Sequence, residues 1–151
     1  MVEAGAGRSL TGVGTGFFTE FLKVGANATA AKMLPGIAVI FDTNQYSVKQ
    51  SNDGTNVIGT LGYENTQVPW KPTNYTTAYA VGDTVAIEMG VSRRKMLLIA
   101  NQAIVKGNPL KVTTDGYVTV GVPGTDDIYA DADESLGSVA AVQYLWVVTR
   151  R

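Results

Sequence analysis

From Gly36 to Thr149 the chain is cut into short apolar runs, each closed by a turn signal, at a spacing of roughly ten residues. This constrains the fold more than any other feature, because runs this short and closely spaced build strands and leave no room for helices of ordinary length. Ile37, Val39 and Phe41 alternate with Ala38, Ile40 and Asp42, and Tyr46 and Val48 follow a Thr43-Asn44-Gln45 turn. Asn52-Asp53-Gly54 marks a further turn, and Val57 to Gly62 reads as a short strand. Val85, Ile87 and Met89 share one face of a strand opened by Gly82-Asp83, and Met96 to Ala100 is a continuous apolar run. Leu110 to Val120 makes a hairpin about Thr114-Asp115-Gly116, residues 121–135 read as an acidic loop, and Leu136 to Thr149 as the last strand or a bent pair. The fold class expected is all-β, a small β-barrel or β-sandwich.

The pattern is also repeated. Met33-Leu34-Pro35-Gly36-Ile37-Ala38-Val39-Ile40-Phe41, a turn and Tyr46 correspond to Ile104-Val105-Lys106-Gly107-Asn108-Pro109-Leu110-Lys111-Val112, a turn and Tyr117. Each unit then carries a polar loop and a short strand with glycine, matched as Val57–Leu61 and Ser135–Val139. A glycine before each first strand permits a backbone conformation that other residues resist. The expectation is a barrel built on a pseudo-repeated hairpin unit. Residues 1–16 are rich in glycine and small polar residues, and are expected to form a flexible arm. Phe17, Phe18, Phe21 and Leu22 follow as an apolar anchor, either a helical turn or a short strand. The division expected is residues 1–22 as arm and anchor and residues 23–151 as one β-barrel domain.

Composition narrows the chemistry. The 151 residues include no His and no Cys, which rules out Ser-His-Asp and Cys-His nucleophilic systems and takes away the favoured ligands of zinc and other transition metals. No catalytic residue, cofactor or metal site is expected, and the chain is read as no enzyme. A net charge of −1 gives no electrostatic drive toward nucleic acid. No stretch reaches the ~20 apolar residues of a membrane span, and the N-terminus lacks the apolar core of a signal peptide. Charged residues make up only 17% against 45% hydrophobic, which points to surface buried by partners.

Several constellations resemble functional motifs in part. Ser92-Arg93-Arg94-Lys95 matches S-x-x-K without the helix start and partner motifs such a site needs, and reads as a basic turn. Gly12, Gly14 and Gly16 lack the Gly-Lys-Ser/Thr of a phosphate loop. Asp127, Asp131 and Asp133 fail the EF-hand spacing, so a solvated acidic loop is preferred over a calcium site. Adjacent Asp126 and Asp127 point apart on a strand and do not flank one glycosidic bond. The segment 63–80 carries Trp70, Tyr63, Tyr75 and Tyr79, suited to stacking on sugars, to anchoring a protein, or to packing. The last strand is apolar on both faces, with Tyr144 and Trp146 on the face that a single barrel does not bury, making it a candidate subunit interface or a central strand. The interface candidates are therefore Phe17, Phe18, Phe21, Trp70, Tyr75, Tyr79, Arg93, Arg94, Tyr144 and Trp146.

The run Ile104 to Thr119, with its apolar–small–Gly opening and Thr114-Asp115-Gly116-Tyr117-Val118-Thr119 turn, resembles the hairpin of small head decoration proteins of tailed viruses. Val81 to Ile87 and Leu136 to Ala140 are similar to their flanking strands, and the unit around Pro35-Gly36 resembles them too, so the likeness spans about residues 30–145. The resemblance implies a β-barrel cement protein on the capsid exterior of the virion, often a homotrimer, that clamps and stabilises major capsid subunits of the HK97 type. The long 63–80 segment departs from the simplest members. The rival expectation is a carbohydrate-binding or receptor-binding spike-like β module that uses that aromatic segment.

Overall fold

A computed structural model describes residues 8–11, 17–62, 77–90, 95–137 and 143–150. Among these residues the regular structure is eleven strands and one 3-10 turn: β1 (Arg8–Thr11), β2 (Phe17–Val24), β3 (Ala38–Phe41), β4 (Ser47–Gln50), β5 (Gly59–Leu61), β6 (Thr84–Gly90), β7 (Lys95–Ala100), β8 (Pro109–Val112), the turn Thr114–Gly116, β9 (Val118–Val120), β10 (Ile128–Ala132) and β11 (Gln143–Thr149). The strands close into two five-stranded barrels. In the first, β2 pairs with β4, β4 with β3, β3 with β5, β5 with β6, and β6 returns to β2, while β1 lies outside against β2. In the second the ring runs β7, β9, β8, β10, β11 and back to β7.

The two rings have the same wiring. In each, the first strand pairs parallel with the third, and the remaining four pairings are antiparallel in the same order. The expected repeat is therefore present as a duplicated barrel. Gly36 and Gly107 fix its register. Both hold the left-handed conformation, with φ of 95° and 91°, and their N–H groups donate to the Leu61 and Ala132 carbonyls, each at 2.8 Å. Ser51 N–H bonds to the Ala38 carbonyl just as Gly121 N–H bonds to that of Pro109.

Three expectations change. In the register of the repeat, the counterpart of Gly59–Leu61 is Ala130–Ala132, because those residues make the matching pairs with β3 and β8, and Tyr46 matches Gly116 rather than Tyr117, because Val48 and Val118 hold the same place opposite Phe41 and Val112; Leu136 forms only an isolated bridge to Ile104. Part of the acidic loop is strand β10, since Asp131 turns outward to a bidentate pair with Arg150 at 2.7 Å while Tyr129, Ala130 and Ala132 are buried. The division expected between residues 22 and 23 falls inside β2, whose Leu22 and Val24 both fill the first barrel. Phe17 to Leu22 is strand and not a helical turn. Within the expected arm, Arg8–Thr11 pairs antiparallel with Phe17–Glu20, and the rest of the arm lies outside the described residues.

The two cores interlock. Ile99 and Tyr117 of the second barrel belong to the core of the first, with Tyr144 packed against it, and Ala38 of the first belongs to the core of the second. Burying a large aliphatic side chain contributes roughly 1.5–3 kcal/mol, so this exchange joins the barrels into one body.

Candidate interaction surface

The seam between the barrels is made by residues 32–38 and 51–60 of the first barrel. The Ile99 N–H donates to the Gly36 carbonyl at 3.1 Å, and the Tyr144 hydroxyl donates to the Pro35 carbonyl at 2.8 Å. The Thr60 and Tyr129 hydroxyls share a buried hydrogen bond of 2.9 Å. Gly54 sits so close to β8 that a Cβ there would meet the Val112 carbonyl at 2.7 Å, and Gly116 lies against the Ala38 backbone. Lys32 pairs with Asp115 at 3.1 Å across the same seam, and that hydrogen bond, with the nearby Tyr117, raises the lysine pKa. Tyr144 is thus engaged within the chain.

The other candidates divide by place. Phe17 and Phe18 lie in β2, in register with Gly90 and Met89. Phe21 is 50% exposed on the outer face of β2. Tyr79 packs on the first core and donates its hydroxyl to the Gly62 carbonyl at 3.1 Å. Trp146 is half-buried on the outside of the second barrel, its ring covered by the Lys95 ammonium at 5.3 Å. Lys95 in turn pairs with Asp133 at 2.8 Å, which with Lys106 at 3.6 Å holds that carboxyl below its ordinary pKa. Trp70, Tyr75, Arg93 and Arg94 lie outside the described residues.

What the sequence did not single out is a set of exposed apolar side chains. On the first barrel Phe41 and Tyr46, the latter 68% exposed, join Phe21 and Val81. On the second, Val105 (64%), Val120 and Val122 (59%) are exposed. Phe41 and Val120 sit at strand ends, where alternation assigns them to a barrel wall. The signal that finds them is the comparison of the two halves: Val120 stands where the first barrel has the buried Gln50.

Acidic and concave features offer little chemistry. Among the described residues no group of three acidic side chains is placed to hold a metal ion. Asp126, named with the acidic loop, accepts from Lys111 and from the Val122 N–H. A cavity of about 260 Å³ beside Met33 and Tyr79 is walled mainly by alanine and valine. Among the described residues its lining holds no charged side chain.

No family model matches the chain, and no curated protein matches it. A solved structure does. It is the N base of head fiber gp8.5 of bacteriophage phi29, 13% identical, with a TM-score of 0.53 over 88% of this chain and 93% of that one. The likeness is one of fold. It extends across both barrels, since a single barrel falls well short of that coverage.

Proposed function

We propose that the chain is a non-enzymatic virion structural protein, a homotrimer that sits on the exterior of a tailed-virus head, binds an HK97-type major capsid protein and stabilises the shell. The observation that carries this reading is the fold shared with a phage head fiber base over nearly the whole length of both chains. The sequence resemblance to head decoration proteins supports it independently through the Ile104–Thr119 hairpin. Exposed apolar side chains on both barrels supply contact surface, and the lack of His and Cys leaves few routes to catalysis. Three copies in one particle multiply weak contacts with the shell into firm attachment.

The test is co-sedimentation of the purified chain with empty heads assembled from the capsid protein of the virus that encodes it. Saturable binding at a fixed ratio of chains to capsid subunits is expected. Heads that pellet without the chain would sink the reading.

A further inference from the structure

The internal duplication shows what covers each end of such a barrel. The seam is not symmetric: the first barrel contributes its 32–38 and 51–60 segments, and the second contributes β7, the end of β8, the turn before β9, and Tyr144. Each barrel therefore also owns the face that its twin uses, and in each that face is left open. The matched pairings identify them. Leu22–Val85 corresponds to Leu98–Leu145, and Phe41–Val48 to Val112–Val118. Phe21, Phe41 and Tyr46 of the first barrel are thus the counterparts of Leu97, Val112 and Gly116, all of which meet the first barrel within the seam. Val105 of the second barrel is the counterpart of Leu34, within the 32–38 segment of the seam, and Val120 is the counterpart of Gln50, which directly precedes the 51–60 segment and bonds Thr29 of its own barrel. Val122 follows on the segment that matches the 51–54 turn.

Of the seven large apolar side chains exposed among the described residues, five fall on these two open faces, Val120 adjoins one of them, and Val81 lies elsewhere. We infer that copies of this chain associate head to tail, the Val105–Val120–Val122 face of one second barrel docking on the Phe21–Phe41–Tyr46 face of the next first barrel. A repeated contact of this kind joins two different faces, and it closes into a ring when the rotation between copies allows. Lys23 and Lys106 stand where the seam has Ile99 and Pro35, so the contact between copies is more polar and weaker than the seam.

This rests on the reading of the chain as a homo-oligomer and names its surfaces. Two double variants test it by sedimentation: Val105→Asp with Val122→Asp, and Phe21→Asp with Tyr46→Asp. All four positions are exposed, and circular dichroism confirms the fold of each variant. Each alone should fall from the wild-type mass to that of one chain. Their equimolar mixture should recover a one-to-one dimer, because each supplies the face the other has lost. Variants that keep the wild-type mass, a mixture that stays at one chain, or a monomeric wild type would overturn the inference. So would dissociation by Trp146→Asp in place of these changes. Binding of the wild-type chain to empty heads is read separately, so the surfaces can fail while the virion reading stands.

Discussion

Gly36 and Gly107 hold the same left-handed backbone in the two barrels, but only Gly36 is covered. A Cβ on Gly36 would come within 3.0 Å of the Tyr144 ring and 3.2 Å of the Leu97 carbonyl, whereas Gly107 has nothing within 4 Å. Gly107→Ala therefore meets backbone strain alone, about 1–2 kcal/mol. Gly36→Ala meets the same strain and a crowded seam, and is expected to cost more in chemical denaturation. Equal losses would mean that the seam yields freely. Asp42 carries a second residue-scale expectation. Its side chain is 1% exposed, and burial pushes its pKa up. Hydrogen bonds from the Asn27 backbone and side-chain amides, with Lys49 at 3.5 Å, outweigh that and hold it below the ordinary value. A depressed folded pKa adds stability that is present above the unfolded value of about 3.9 and is lost as pH falls through the folded value. The melting temperature should drop on acidification through that window, and Asp42→Asn should lower it at neutral pH and flatten the acid limb. An acid limb left unchanged in the variant would assign the loss to other carboxylates.

Among elements, the decisive contacts are those β7, β10 and β11 make with the neighbouring barrel. Tyr144→Phe removes the donor to the buried Pro35 carbonyl and is expected to cost about 1–2 kcal/mol in urea unfolding. A double-mutant cycle on Thr60→Val and Tyr129→Phe should show coupling, since either change alone leaves the other hydroxyl without its 2.9 Å partner. Additive effects would show that this pair does not tie the barrels together. Much of the element list was legible. Alternation and turn residues located β3, β4, β6, β7, β8 and β9, and Gly36 and Gly107 revealed the repeat. β10 was not legible, because Asp131 and Asp133 make a strand look like a solvated loop until Arg150 and Lys95 are seen beside them. Nor was the count of barrels. Closure depends on β2 pairing with β6 and β7 with β11, contacts between segments far apart in sequence that leave no local pattern. Phe21 was found by its apolar neighbours, while Val105 and Val122 read as ordinary loop residues until their exposure was known.

For the whole molecule, the shared cores imply that the barrels stand or fall together. Ile99, Tyr117 and Ala38 each complete the other barrel's core, so thermal unfolding is expected as one transition whose calorimetric and van't Hoff enthalpies agree. Two resolved transitions would show barrels that fold independently. The most direct measurement is differential scanning calorimetry of empty heads with and without saturating chain. Heads that carry the chain are expected to melt at a higher temperature, by an increment that grows with occupancy. A head transition that stays where it is at full occupancy would contradict a role in stabilising the shell.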